Sequence, residues 1–138
     1  MLQRGYESDN LTTYMRLTTL LVDLIFLFPP IYLLSTKLPS NPQISIKTFS
    51  LITLLGFLLK PDLILIDHGH FQYNSLILGL ILSAFYLLLN GNYYSCCVFF
   101  TIAIGCKQMA VYFALAFFAA LLGVTIRDYR QRSAKIFY

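Results

Sequence analysis

Long apolar runs separated by short polar clusters dominate the pattern along this chain. Five such runs lie at 17–34, 48–66, 75–89, 93–104 and 109–124. At about 1.5 Å per residue, a helix of roughly 20 apolar residues spans the hydrocarbon core of a bilayer. The pattern therefore predicts an all-α integral membrane protein with about five transmembrane helices, the last two of them short. We expect residues 1–138 to form a single transmembrane region.

Polar residues and prolines interrupt the first two runs. Asp23 lies inside the first run, where an acidic side chain is expected to face protein or a cavity rather than lipid. Pro29-Pro30 predicts a helix break near the far end of that run. Lys60-Pro61-Asp62 interrupts the second run, and either a kinked or a partly re-entrant helix fits it. Asn90-Gly91-Asn92 predicts a turn.

Composition supports a membrane location. Of the 138 residues, 58% are hydrophobic and 12% charged, with a mean hydropathy of +0.71. Soluble domains carry about 25% charged residues, so a soluble domain is excluded. The net charge of +4 does not indicate a nucleic-acid partner, because most of the basic residues are scattered along the chain. The exception is a C-terminal cluster, which is typical of a cytoplasmic tail next to a membrane: Arg127, Arg130, Arg132 and Lys135.

The distribution of Lys and Arg predicts the orientation in the membrane. An N-terminus outside the cytoplasm puts six basic residues on the cytoplasmic side, namely Lys37, Lys47 and the four of the C-terminal tail. Four basic residues then fall on the opposite side: Arg4, Arg16, Lys60 and Lys107. The bias is modest but consistent, and it places the polar stretch at 67–74 on the non-cytoplasmic face.

The three cysteines do not indicate a disulfide framework or a zinc site. Cys96, Cys97 and Cys106 are odd in number and embedded in apolar sequence. We expect them to be packing residues.

The stretch Asp67-His68-Gly69-His70-Phe71-Gln72-Tyr73-Asn74 is the densest polar cluster between the apolar runs. Unpaired polar groups cost several kcal/mol in hydrocarbon, so this stretch must face water, protein or a ligand. An ordinary polar loop between two helices is one interpretation. The presence of both histidines of the chain beside an aspartate and two aromatics favours the other, a substrate-facing site.

Three polar groups share the outer face in this topology: Arg4 to Glu7, Asp67 to Asn74, and Lys107-Gln108. On a helix, Asp67 and His70 would share a side, as would His70 and Asn74. Candidate contacts follow from side-chain chemistry. Lys107 can hold a phosphate as a point charge, and His68 and His70 can donate hydrogen bonds. Amide and phenol groups suit sugar hydroxyls, and these are supplied by Gln72, Tyr73 and Asn74.

Two other interpretations of these residues are open. Lys107 could instead snorkel to the interface from a helix end, or mark the tip of a tight hairpin. A metal site at Asp67, His68 and His70 lacks a third or fourth ligand with recognisable spacing, so we expect no metal. The chain also has no Gly-rich phosphate loop, which argues against a soluble nucleotide.

Three motifs resemble a known family, the endoplasmic-reticulum α-1,3-glucosyltransferases that use dolichyl phosphate glucose. They are Arg4-Gly5-Tyr6-Glu7-Ser8, the octapeptide at 67–74, and Lys107-Gln108-Met109. They occur in the family's order and cover most of the chain, and the octapeptide is the most specific. Gly69 and the Lys107 triplet look more like the enzyme that adds the first glucose than its relative that adds the second.

The resemblance implies fold, location and reaction. It implies a multi-span GT-C fold in the endoplasmic reticulum membrane, working on the lumenal side in protein N-glycosylation. Glucose would pass, with inversion, from dolichyl phosphate glucose to the dolichyl-pyrophosphate-linked oligosaccharide, with no cofactor and no metal. It adds Gln108, Arg4, Tyr6 and Glu7 to the expected substrate-binding residues.

This chain departs from the family pattern in two ways. The aspartate expected to act as base lies in an Asp-Tyr-Pro-Pro-like segment ahead of the Arg4 motif, and this chain begins at that motif. The chain is also far shorter than the family. We therefore expect a fragment of a longer enzyme, whose activity alone is open, with Asp67 as a candidate substitute for the base. A membrane scaffold or regulatory subunit and a proton-coupled transporter are the alternatives.

Overall fold

The computed structural model describes residues 9–37, 46–61, 64–70 and 72–136, and every regular element in these ranges is a helix. The predicted all-helical class is confirmed for them. These ranges hold five main helices, numbered in chain order: α1 Asp9–Lys37, α2 Ile46–Leu58, α3 Asn74–Leu89, α4 Tyr93–Cys106 and α5 Ala114–Ile136. A π-turn at Ile64–His68 precedes α3, and a 3-10 segment at Gln108–Phe113 leads into α5.

Within the described residues, two helical stretches are long and apolar enough to cross a membrane. They are Asp9–Lys37, with 29 residues, and Gln108–Arg130, with 23 residues. Asn74–Leu89 and Tyr93–Cys106 are apolar but shorter, with 16 and 14 residues. In the second predicted run, α2 ends at Leu58 and helical structure resumes only at the π-turn. The count of five spans therefore stays a prediction.

The break predicted at Pro29-Pro30 does not occur, and that prediction was wrong. Helix α1 passes through both prolines, because a π-turn at Asp23–Leu27 comes directly before them. In this turn the N–H of Phe28 donates to the carbonyl of Asp23, five residues back rather than four. The wider turn changes the hydrogen-bond register ahead of two residues that have no N–H to donate, so the helix continues.

Helix α3 packs against this π-turn at a glycine. A Cβ atom on Gly79 would lie 2.1 Å from the carbonyl oxygen of Phe26. In an α-helix that carbonyl would accept a hydrogen bond from residue 30, which is a proline and has no N–H. Small residues let membrane helices approach this closely, and a glycine Cα–H can then contact a carbonyl oxygen.

Asp23, the acidic residue in α1, is 8% exposed and lies at the first position of the π-turn. The expectation that it faces protein rather than lipid is confirmed. Ser35 near the end of α1 and Ser50 in α2 are also buried, and their hydroxyl oxygens are 2.7 Å apart in a hydrogen bond between the two helices.

The apolar core lies between α3, α4 and the start of α5. Small residues fill its centre, since Ala84, Cys96, Ala103 and Ala110 are fully buried. The rings of Phe100 and Phe117 stack beside them, with centroids 4.3 Å apart. Helices α3 and α4 are joined by the predicted turn, where Gly91 has φ +76° and the Gly91 and Asn92 N–H groups donate to the carbonyls of Leu88 and Leu87. This is a Schellman ending.

The cysteines only partly follow the prediction that they pack in the interior. Cys96 is buried in the core, whereas Cys97 and Cys106 are exposed. Successive residues on a helix are about 100° apart, so Cys97 turns away from the face that Cys96 buries.

Candidate functional site

The polar stretch at 67–74 enters α3 through a strained residue. Tyr73, which precedes the helix, has φ 53° and ψ 33°, in the left-handed region that residues other than glycine rarely adopt. Its phenol oxygen is 2.9 Å from Thr18 Oγ1 in α1. Since the Thr18 hydroxyl already donates to the carbonyl of Met15, the phenol is the donor in this bond.

Asp67 holds the start of α3 from inside the protein. Its side chain is 1% exposed, and Oδ2 accepts a hydrogen bond of 2.6 Å from the backbone N–H of Ser75. The first N–H groups of a helix have no partner within the helix, and a carboxyl group is favoured there by the helix dipole. Asp67 therefore caps α3 from eight residues upstream.

Lys107 and Asn74 bring two of the polar motifs together. Lys107 lies in extended backbone, φ −158° and ψ 140°, between α4 and the 3-10 segment. Its half-buried side chain turns toward α3, where Nζ donates a hydrogen bond to Asn74 Oδ1. The lysine is thus held by another motif, 33 residues earlier in the chain, rather than extended along a helix end.

A groove lies beside Asn74, the residue to which Lys107 donates. Its volume is about 460 Å³ and its wall is mostly apolar, with polar groups contributed by two residues in particular, Lys60 and Asn74. The remaining lining residues come from the π-turn, α3, the 3-10 segment and its end: Ile66, Leu78, Met109, Tyr112 and Phe113. The arrangement combines a few polar groups with a mostly apolar wall, which suits an amphiphilic ligand.

The other predicted site residues fall into two groups. His70, Gln72 and Gln108 are exposed and free to contact a ligand that lies over the polar stretch. Arg4, Tyr6 and Glu7 lie outside the described residues, as does the side chain of His68. Three polar groups are expected on one face. Among the described residues, the structure brings two of these groups together, the stretch at 67–74 and Lys107-Gln108.

Two expected pairings on a helix face do not form. Asp67 is buried whereas His70 is exposed, because the backbone at Ile64–His68 is a π-turn and not an α-helix. His70 and Asn74 do not share a helix either, since Gln72 and Tyr73 between them are non-helical. Thr18 is a contact residue that the sequence did not reveal, because a threonine in an apolar run fits a backbone bond within its own helix equally well.

Metal binding has no support in the part of the chain that the structure describes, where no three His, Cys, Asp or Glu side chains come together. The described residues around the groove offer two ammonium groups, those of Lys60 and Lys107, and several hydrogen-bond donors. Lys107 uses one of its three N–H donors on Asn74, and the others suit a phosphate oxygen.

Relatives with established names cover most of this chain. A dolichyl pyrophosphate Man9GlcNAc2 alpha-1,3-glucosyltransferase of Saccharomyces cerevisiae is 45% identical over 121 residues, which are 86% of this chain and 22% of the relative. Proteins with the same name from Pongo abelii and Gallus gallus are 42% and 40% identical, each over 87% of this chain and 23% of their own length. The chain thus spans less than a quarter of each relative. No solved structure matches it significantly.

A family model matches almost every residue of the chain. It is the model of the ALG6, ALG8 glycosyltransferase family, and it covers residues 1–137, including all three motifs and the Lys107–Asn74 contact. This chain therefore belongs to the ALG6, ALG8 glycosyltransferase family.

Proposed function

We propose that this chain is the part of an α-1,3-glucosyltransferase that binds the phosphate of dolichyl phosphate glucose during assembly of the N-glycan precursor. The acceptor is the dolichyl-pyrophosphate-linked oligosaccharide that the names of the relatives describe. The protein lies in the endoplasmic reticulum membrane as a multi-span GT-C enzyme, in contact with membrane lipid, and the polar stretch faces the lumen. Because the relatives act on Man9GlcNAc2, the enzyme that adds the first glucose is favoured.

The hydrogen bond from Lys107 to Asn74, a residue that lines a mostly apolar groove, carries this proposal. Asn74 fixes the direction of the ammonium group, which leaves two donors for the phosphate of a lipid carrier. Hydrogen bonds between charged partners contribute about 1.5–3 kcal/mol each. The apolar wall of the groove beside Asn74, including Leu78 and Met109, suits the isoprenoid chain.

The proposed reaction is a single displacement with inversion. The acceptor hydroxyl oxygen attacks the anomeric carbon of glucose, and the bond from that carbon to the phosphate oxygen breaks. The electron pair of that bond leaves with dolichyl phosphate, and the proton of the hydroxyl passes to a carboxylate base. Lys107 stabilises the negative charge that develops on the departing phosphate.

The base is not assigned to Asp67 in this proposal. Asp67 is buried and already accepts a hydrogen bond from Ser75, so an acceptor hydroxyl does not reach it. The base is instead expected from the aspartate that the family carries ahead of the Arg4 motif. Sugar contacts are proposed for residues that are exposed or that the family motifs supply: His68, His70, Gln72, Gln108, Arg4, Tyr6 and Glu7. Tyr73 and Asn74 contribute by shaping the site.

A chimera tests this proposal. The matched 121 residues of the Saccharomyces cerevisiae relative are replaced by those of this chain and expressed in cells that lack that relative. Microsomes are then assayed for transfer from labelled dolichyl phosphate glucose. We expect transfer by the chimera, and a fall of about 100-fold with Lys107→Met, the size of effect seen when one charge-stabilising donor is removed.

Lys37→Met is the matched control, because Lys37 is an exposed lysine at the end of α1. It should leave transfer unchanged. An inserted chimera without transfer contradicts the assignment of this segment, and full activity of Lys107→Met contradicts the role of the lysine. A scaffold would tolerate Lys107→Met, and a transporter would lose substrate flux while transferring no glucose.

A further inference from the structure

The start of α3 lacks the capping residue that helices usually carry. The position before the helix is Tyr73, which makes no side-chain cap and whose phenol is used by Thr18. Residues that cap well at this position are Ser, Thr, Asp and Asn, because their short side chains reach the N–H groups of the first turn. The first turn of α3 therefore depends on a group from elsewhere in the chain.

Asp67 supplies that group. The bond from Ser75 N–H to Asp67 Oδ2 is 2.6 Å long and buried. The residue directly before Ser75 is Asn74, the first residue of α3 and the partner of Lys107. One hydrogen bond thus fixes the backbone next to the side chain that orients the lysine.

We propose that Asp67 is a positioning residue, which holds the first turn of α3 so that Asn74 directs Lys107 toward the ligand. The importance of Asp67 for catalysis rests on the proposed function. Asp67 acts through Asn74 and does not touch substrate, since its side chain is 1% exposed. Losing the cap would free the end of α3, and the Lys107 amine would lose its fixed partner.

The reactivity of the Lys107 amine measures this directly and does not require enzyme activity. The chain is reductively methylated in detergent, and the rate at Lys107 is divided by the rate at exposed Lys37 in the same sample. We expect Asp67→Ala to raise this ratio about tenfold, as loss of one buried hydrogen bond implies. Asp67→Asn, whose amide oxygen can still accept from Ser75, should raise it less.

Ser75→Ala is the matched control. It removes a buried hydroxyl that has no hydrogen-bond partner but keeps the backbone N–H that Asp67 binds, so the ratio should not change. The proposal is overturned if the ratio stays at the parent value in both Asp67 variants. Should Asp67→Ala fail to insert, the similarly sized Asp67→Leu decides, because its side chain cannot accept from Ser75, and a ratio equal to that of the parent chain then counts against the proposal.

The chimera adds a readout that a purely structural role would not produce. If Asp67 acts through Lys107, Asp67→Asn lowers transfer in the parent chimera but has no further effect in the Lys107→Met background. Additive losses would overturn the inference. A parent chimera without transfer would count against the proposed function alone, because the labelling ratio still decides whether Asp67 positions Lys107.

Discussion

The carbonyl oxygen of Phe26 in α1 faces Gly79 of α3 at a distance that leaves no room for a side chain, since a Cβ there would lie 2.1 Å away. In an α-helix this carbonyl would accept a hydrogen bond from residue 30, which is Pro30 and has no N–H to donate. This contact links the irregularity in α1 to the helix that begins at the site, and it shows why α3 needs a glycine at this position.

Gly79→Ala should destabilise the chain, because the methyl group meets backbone that cannot rotate away. Overpacking of this kind costs about 1–3 kcal/mol. Unfolding followed by circular dichroism in a detergent titration would measure it. Gly123→Ala is the control, because nothing lies within 4 Å of a Cβ at Gly123 in α5. That change should be neutral or stabilising, and equal destabilisation by both variants would contradict the close contact.

Asn74→Asp should keep Lys107 in place while weakening phosphate binding. An aspartate can accept the same hydrogen bond, but its charge neutralises the ammonium group and repels the phosphate. We expect the KM for dolichyl phosphate glucose in the chimera to rise about tenfold or more, the equivalent of losing one charged hydrogen bond. Asn92→Asp introduces the same charge at the exposed turn after α3 and should not change that KM. An unchanged KM with Asn74→Asp would show that Lys107 does not bind the donor.

Tyr73→Phe and Thr18→Val together test the bond that fastens the polar stretch to α1. The two oxygens are 2.9 Å apart, and a double-mutant cycle should yield a coupling free energy of about 1 kcal/mol. Thr18→Val alone should cost more than Tyr73→Phe alone, because it leaves the phenol donor without its partner. Independent, additive effects on the free energy of unfolding would contradict the bond.

Ser35 and Ser50 should contribute a small coupling between α1 and α2. Hydrogen bonds between membrane helices contribute about 0.6 kcal/mol on average and up to about 1.7 kcal/mol. Ser50→Ala should destabilise the chain by an amount in this range, and combining it with Ser35→Ala should add little. Thr36→Ala is the control, because that exposed hydroxyl bonds only to the carbonyl of Leu33 in its own helix.

Hydropathy and local turn chemistry were enough to predict several features from the sequence. The helical class follows from apolar runs too long and too continuous for strands, and Asn90-Gly91-Asn92 forms its turn because Gly91 can adopt a positive φ. The burial of Asp23 follows from the cost of an acid in lipid. The helical class and the turn depend on residues near one another in the chain, and the burial of Asp23 depends on its solvation cost, so the sequence was enough to predict all three. The three motifs likewise indicated the family.

Contacts between distant residues were decided by the tertiary structure. The pairing of Lys107 with Asn74 and of Tyr73 with Thr18 joins residues 33 and 55 positions apart, and no local pattern encodes either. The sequence left Asp67 open as a base, whereas the fold buries it against Ser75. Helix α1 passes through Pro29-Pro30, because the π-turn before them changes the hydrogen-bond register where the prolines have no N–H to donate. Gly79 of α3 packs against this turn. Hydropathy places each segment, but only packing between segments determines which polar groups meet.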